Sequence, residues 1–537
     1  MKIALVQCPV WGTREPPLAL AQLSACLKSA GHEVRSYDIN HMLYRTRNEQ
    51  FANLWAWEQS LFWYDADSVT HFFDTIAGIL EGYADSIVSG EPVMVGFSLA
   101  ASTYPASVAF ARILKRKNPG LLVVFGGQLF HDSRAVERAF REAPVDYVVV
   151  GEGDVTVPEI ATVLENHGDI SHCAGVYFGR YGEPQFAGPR QKLPNLDGLP
   201  YMDFSDLRIE DYDDVEHLPI MSSRGCVWSC RFCSSCAFWG KYREMNAERM
   251  HQEITFHKLT HPLVGHIDFQ DLAFNANIQR VREFCDLMIK YPPFGSRVVW
   301  LANAIVNPHM TRDDLSLMKE AGCKKLIFGI ESGSQRVLDL MGKRYRIGDA
   351  KRIIRDTAEA GIAVTTNFMF GFPGETENDF QLTLDFVTDV GRYIERVYPS
   401  RTYCALEEFS RLGDHPEEFG VRTPVSHHLY WETLDGANTY PIRLKRCQQF
   451  EQLCNERGVK VDCGVKTDVQ MDEWFNLGHY HEYRREYDKA AEYFLKYYRV
   501  DPKNKIVSDR LRAIAALAAD TIPAEIDAGL GYNRDKA

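Results

Sequence analysis

Residues 222–240 read SSRGCVWSCRFCSSCAFWG, and three of these cysteines, Cys226, Cys230 and Cys233, fall in a C-x3-C-x2-C spacing. Thiols this close in sequence share one tight loop. Three thiolates from one loop suit three irons of a [4Fe–4S] cluster and leave the fourth iron open to an outside ligand. Gly225 and Ser229 would let the loop curl around it. The competing reading is a zinc knuckle, to which Cys236 adds a further C-x2-C step. Structural zinc sites, however, usually pair two separated C-x2-C arms, and no second arm lies nearby.

The loop follows an apolar run at 218–222, and strand-like runs recur at 264–269, 297–302, 325–330, 362–370 and 396–403. Helical patterns separate them at 241–259, 276–290, 311–321, 334–360 and 376–391. Six such units within 218–405 fall short of the roughly 250 residues of a closed eight-fold barrel, so an open, partial (β/α)6 barrel is predicted.

Upstream, 3–7 reads as a buried strand, 18–30 as a helix closed by Gly31, and 33–39 as a second strand. An aromatic-rich helical stretch at 41–88 follows, then strands at 93–97, 121–125 and 146–150 with a helix at 103–117. This α/β alternation predicts a Rossmann-like, doubly wound parallel sheet over 1–178, which takes ligands at the carboxyl ends of its strands. Those ends carry Ser98, Gly126–Gly127 and Gly151–Glu152–Gly153. Residues 179–217 are rich in Gly, Pro and Asp and read as a linker with little packed core.

The remainder, 406–537, is helical. Residues 471–504 place Trp474, Leu477, Gly478, Tyr487, Ala490, Phe494 and Pro502 at the offsets of one tetratricopeptide repeat. A single repeat cannot build a solenoid; it would cap the barrel or dock a protein partner. Cys447, Cys454 and Cys463 could hold an auxiliary cluster, but Cys447 and Cys454 fall on one helix face, as core residues do.

The chain has 537 residues, 45% hydrophobic and 25% charged, with a formal net charge of -13. That is an ordinary globular balance of two to four domains, and its acidity argues against nucleic acid as a partner. The N-terminal apolar run is broken by Pro9 and followed by Arg14 and Glu15, unlike a signal peptide. No window is apolar enough to span a membrane, so a soluble, cytoplasmic protein is expected. An odd count of 13 cysteines fits reduced thiols; Cys26, Cys285 and Cys323 read as small buried hydrophobes.

The C-x3-C-x-aromatic-C loop, with Phe232 as the aromatic, resembles that of the radical S-adenosylmethionine superfamily. Matching segments follow at 267–275 (IDFQDLAFN), 300–303 (WLAN), 326–334 (LIFGIESGS) and 367–375 (NFMFGFPGE). The resemblance implies that the free iron binds S-adenosylmethionine and that electron transfer cleaves it to a 5′-deoxyadenosyl radical. By the same resemblance Phe232 lies against the adenine, Asp271 near the methionine end, Asn303 and Glu331 near ribose or carboxylate, and Gly371–Pro373 beside the adenine. A flavodoxin- or ferredoxin-class electron donor is implied.

The segments PPLALAQLSACLKSAGHEV, VGFSLAAS, VVFGGQ and YVVVGEGDVTVPEI are, in that order, similar to the cobalamin-binding subfamily of these enzymes. Cobalamin would then lie over the strand ends, with Gly126–Gly127 giving close backbone approach, Ser98 or Ser102 holding the nucleotide tail, Glu152 and Gly153 beside it, and Trp11 and Gly12 at the corrin. Domains of the methionine-synthase type supply a cobalt-ligating His from D-x-H-x-x-G; here those positions are Gln7 and Pro9, so no lower ligand comes from this loop.

The resemblance implies a methyltransferase acting on an unactivated carbon or phosphorus of a small-molecule substrate. The alternatives are cyclisation or rearrangement without methyl transfer, and an interaction protein with a structural cluster. Tyr403, Cys404 and Glu407 follow the last barrel strand, where a substrate would meet the radical.

Overall fold

The computed structural model describes residues 1–48, 51, 53–55, 60–131, 133–179, 183–295, 297–400, 403–425, 427–462 and 469–517. Two seven-stranded sheets dominate it. The first is built from β1 (Lys2–Gln7), β2 (Glu33–Asp38), β3 (Met94–Ser98), β4 (Leu122–Gly126), β5 (Tyr147–Val149), β6 (Val176–Phe178) and β7 (Gln185–Phe186). Its order is β2-β1-β3-β4-β5-β6-β7, parallel through β5 and antiparallel beyond. The five predicted strands are all present. The chain reverses its winding between β1 and β3, and the crevice at their carboxyl ends is where such sheets bind ligands.

The second sheet is wholly parallel, in the order β16-β15-β14-β13-β12-β11-β8. Its strands are β8 (His217–Ile220), β11 (His266–Phe269), β12 (Val299–Ala304), β13 (Cys323–Glu331), β14 (Ala363–Phe368), β15 (Arg396–Pro399) and β16 (Lys460–Val461). The six expected strands form the open barrel, and β16 adds a seventh from beyond residue 405. The sequence hid it because two residues carry no periodicity. Two further strands, β9 (Ser223–Arg224) and β10 (Arg243–Glu244), pair antiparallel across the mouth of the cysteine loop.

Other expectations need correcting. The helix expected at 334–360 is two, Gln335–Met341 and Ile347–Glu359, broken at Gly342. The stretch 41–88 divides into Ile39–Thr46, Ser60–Tyr64, Ala66–Thr75 and Ala77–Ser89. Residues 179–217 are more than a linker, for Leu196, Leu199, Met202, Phe204, Leu207, Ile209 and Tyr212 are buried. An extended chain can bury alternate side chains without regular structure, so its Gly and Pro content misleads. Tyr212 stacks on His41 at 4.0 Å and donates to Asp38 at 2.9 Å, tying this segment to the first sheet.

The predicted repeat is a helix pair, Val469–Tyr483 and Tyr487–Val500, followed by Lys505–Leu517. Its helices touch where Gly478 faces Phe494; a Cβ there would stand 2.6 Å from the ring. Tyr480 stacks on Tyr440 at 5.5 Å, so the first helix of the pair lies against the post-barrel helix Tyr440–Glu456. Among the described residues, no helix is long and apolar enough to cross a membrane.

Candidate active site

The cysteine loop leaves β8 at the carboxyl edge of the barrel. Asp271, wholly buried, accepts from the Ser222 amide at 2.7 Å and from the Ser222 and Ser223 hydroxyls at 2.6 and 2.7 Å. The carboxylate thus fastens the root of the loop. Gly225 then turns at φ +80°, with the Gly240 and Lys241 carbonyls 2.8 Å from where a Cβ would sit. Only glycine passes there.

Cys226, Cys230 and Cys233 are half-buried on the curl. The Cys233 amide donates to the Cys230 carbonyl at 3.1 Å, and Arg231 anchors the far side through the Met341 and Leu340 carbonyls, both at 2.8 Å. The Cys236 thiol donates to the Trp228 carbonyl at 3.2 Å. Burial raises the Cys226 thiol, and it pushes Cys230 up to about 11; the Lys343 ammonium opposes both shifts. Iron binding needs thiolates, and a buried cation beside them favours that form. Among the described residues no three His, Cys, Asp or Glu side chains close around a single ion position; thiols that each take a separate iron need not do so. The loop fits a cluster held by three cysteines.

Lys343 escaped the sequence reading. Its side chain is 6% exposed and donates to Glu331 at 3.1 Å and to the Gly329 carbonyl at 3.0 Å. The ammonium also lies 5.7 Å from the Phe232 ring and 5.8 Å from the Trp228 ring. Glu331 is therefore held near the loop by a lysine with no distinctive motif around it. Asn303 is half-buried on β12, opposite Ile327. Phe232 packs on the cluster formed by Val337, Met341, Phe372, Cys404 and their neighbours. Gly371 and Pro373 are themselves buried. Arg443 fills the space beside Gly371, whose amide donates to Glu375 at 2.6 Å and whose carbonyl accepts from Asn438 at 2.8 Å. That glycine makes room for the Arg443 side chain.

A cavity of about 610 Å³ lies between the carboxyl ends of the two sheets. Gln7, Trp11, Gly12, Ser98, Gly126, Gly127, Glu152 and Gly153 line it from the first sheet, and Met221, Ser223, Arg224, Gly225, Phe238 and Trp239 from the barrel. The structure thus gathers these first-sheet candidates on one wall, although several have other tasks. Gly127, at φ +109°, passes the Leu99 backbone, whose carbonyl oxygen would be 2.5 Å from a Cβ. Glu152 pairs with Arg224 at 3.1 Å and Arg243 at 3.0 Å. Ser102 lies outside this cavity and donates to the Val10 carbonyl at 3.3 Å. Gln7 is buried and donates to the neighbouring Cys8 carbonyl at 3.2 Å. Trp11 is 43% exposed, on a loop fixed by Asn40, which accepts from the Trp11 amide at 3.1 Å and donates to the Gly12 carbonyl at 3.2 Å.

A second cavity, of about 830 Å³, shares Trp11, Gly12, Phe238 and Trp239 with the first and runs on to Ser102, Tyr403 and Glu407. Cys404 is buried behind it, its carbonyl accepting from Trp431 at 2.9 Å. Cys447 and Cys454 are core residues of Tyr440–Glu456; Cys463 lies outside the described residues.

Residues 220–387 match the Radical SAM superfamily and residues 68–161 the B12 binding domain. An uncharacterized methyltransferase of Pyrococcus horikoshii is 29% identical over 397 residues, covering 72% of this chain and 77% of that protein. The anaerobic magnesium-protoporphyrin IX monomethyl ester cyclase of Synechocystis is 26% identical over 300 residues, and the match spans 54% of this chain and 57% of the cyclase. The fold is similar to that of the radical S-adenosylmethionine methyltransferase TsrM from Kitasatospora setae with cobalamin and [4Fe-4S] cluster bound. The TM-score is 0.64 at 15% identity, over 89% of this chain and 95% of that one.

Proposed function

We propose that this chain, which belongs to the cobalamin-binding radical S-adenosylmethionine enzymes, is a methyltransferase acting on an unactivated carbon or phosphorus of a small molecule. One observation carries this reading: the cavity at the switch point of the first sheet opens directly onto Arg224 and Gly225 at the start of the cysteine loop. Two cofactors bound at the two sheet edges would address one chamber. When bound, the cluster and S-adenosylmethionine supply a hydrogen-abstracting 5′-deoxyadenosyl radical, and cobalamin supplies the methyl group.

The chain's own part is to hold and enclose. Cys226, Cys230 and Cys233 would take three irons, while Lys343 steadies their charge and keeps Glu331 near the loop. Phe232 and the 371–373 stretch would flank the adenine. Trp11 and Gly12 would lie against the corrin, with Ser98 and Gly126 at its tail. The methyltransferase similar to this chain and the TsrM fold both favour methyl transfer; similarity to the cyclase keeps cyclisation as the second reading.

Labelled S-adenosylmethionine separates the two. Methyl transfer requires label in the product and one S-adenosylhomocysteine for each 5′-deoxyadenosine. With the true substrate, 5′-deoxyadenosine without matching S-adenosylhomocysteine would establish the cyclase or rearrangement reading instead.

A further inference from the structure

The second cavity has a character of its own. Ser234 and Ser235, directly after Cys233, form part of its wall, so it lies beside the cluster loop. The opposite wall comes from Tyr64 of the first half of the chain and from Glu407 and Glu408 after the barrel. Tyr64 is 51% exposed and Trp11 43%, yet both line the cavity. Large aromatic faces left open inside a molecule are surface for a flat apolar ligand.

Two carboxylates and one guanidinium stand on the wall of this chamber. Neither the Glu407 nor the Glu408 carboxylate makes an ion pair or side-chain hydrogen bond among the described residues. Burial, and then the charge of Glu408, raises the Glu407 carboxyl above its ordinary value. Glu407 also faces Tyr64, whose phenol is raised by burial and by that carboxylate. Arg138 is the one Lys or Arg among the described lining residues, and its guanidinium lies 4.2 Å over the Tyr104 ring. The Tyr104 hydroxyl donates in turn to Glu142 at 3.2 Å, and the Arg138 Nε is buried without a hydrogen-bond partner among the described residues. Burial lowers His428, on the same wall, and favours its neutral form.

We propose that this chamber is the substrate site, and that it takes a molecule with a flat apolar body and a protonated amine, the amine meeting Glu407 and the body lying against Tyr64. A cation satisfies an unpaired carboxylate and is also attracted to aromatic faces, whereas an anionic ligand would be repelled. The inference rests on the methyltransferase reading for what happens next, but not for which ligand binds.

The test is calorimetric binding to the cluster- and cobalamin-loaded enzyme at pH 7 of three probes sharing one ring system: 2-(2-naphthyl)ethylamine, 2-(2-naphthyl)ethanol and 3-(2-naphthyl)propionate. The amine is expected to bind about tenfold more tightly than the alcohol, and the propionate more weakly than either. Glu407→Gln should erase the preference for the amine and leave alcohol binding unchanged. Equal binding of amine and alcohol by the wild type, tighter binding of the propionate, or an amine preference that survives Glu407→Gln would each overturn the proposal. The wild-type comparison decides even if the variant does not fold. Amine selectivity without methyl incorporation would refute the reaction and keep the ligand class; methyl incorporation without amine selectivity would do the reverse.

Discussion

Arg224 grips Asp154 with both ends of its guanidinium, Nη1 to Oδ2 at 2.7 Å and Nη2 to Oδ1 at 2.8 Å. The side chains are 7% and 6% exposed. Asp154 stands in the first turn of the helix Gly153–Glu165 of the first sheet, and Arg224 comes two residues before Cys226. The fork therefore fixes the cobalamin side against the cluster side in both distance and orientation. Arg224 also holds Glu152 at 3.1 Å, whereas Asp154 has no other basic partner among the described residues. It is therefore Arg224→Ala, which strands the buried Asp154 charge, that is expected to cost about 3–5 kcal/mol. Thermal unfolding followed by circular dichroism would show it as a lowered Tm. A wild-type Tm would mean the two halves are aligned by other contacts.

The four cysteines of the loop should separate into two classes. Anaerobically purified protein is expected to carry about four irons and four sulfides. Cys226→Ala, Cys230→Ala and Cys233→Ala should each lose the cluster and S-adenosylmethionine cleavage, whereas Cys236→Ala, losing only a hydrogen bond to the Trp228 carbonyl, should keep both. Iron analysis and 5′-deoxyadenosine formation under dithionite measure this. Cleavage at the wild-type rate in any of the first three variants would remove that residue from the cluster.

Gly127 separates a backbone role from a ligand-binding one. A Cβ there would lie 2.5 Å from the Leu99 carbonyl oxygen and 2.7 Å from its nitrogen, at a φ of +109°. Gly127→Ala should destabilise the protein before any cofactor is added. An apo Tm equal to that of the wild type, with weaker cobalamin binding, would return this glycine to the corrin.

Much of the architecture could be read before the structure was known. Five strands of the first sheet and six of the second are long enough, or apolar enough, to show their period. The two-residue strands β7, β9, β10 and β16 and the three-residue β6 show none, and the buried side chains of 196–212 belong to a chain without repeat. The cysteine loop was legible because its spacing is itself the chemistry. Lys343, Arg224 and Asn40 were not, because each acts through a partner far off in sequence: Lys343 with Glu331, Arg224 with Asp154, Asn40 with Trp11. For the same reason the protein contacts of Asp271 with Ser222 and Ser223, of Glu152 with Arg224 and Arg243, and of Gly371 with Glu375 and Asn438 could not be read from the sequence.

Hydroxocobalamin should bind at about one per chain and show the absorption of cobalamin without a histidine lower ligand. Gln7 is buried with its amide nitrogen directed at the Cys8 carbonyl, and an amide does not coordinate cobalt as imidazole does. An electron paramagnetic resonance spectrum of the Co(II) form with nitrogen superhyperfine splitting from a protein histidine would contradict this, as would absence of binding.

The last prediction concerns pH. Glu15, from the loop after β1, reaches the barrel, where Gln270 donates to it at 2.8 Å. Its carboxyl is raised by burial first and then by the negative charge of Asp268, while Arg14, itself 2.6 Å from Asp214, opposes the shift. Asp268 is raised by burial, against Lys325 and Arg14. A carboxyl raised on folding holds a proton that the unfolded chain has released, so stability falls with pH through that interval. The contribution is complete below the ordinary carboxylate range, near pH 4, and fades as pH rises toward and past neutrality. Glu15→Gln keeps an oxygen for Gln270 and cannot ionise. Its Tm should equal that of the wild type at pH 4 and exceed it increasingly toward pH 9. A wild type that gains on the variant as pH rises would show that Glu15 is ionised and paired in the folded protein.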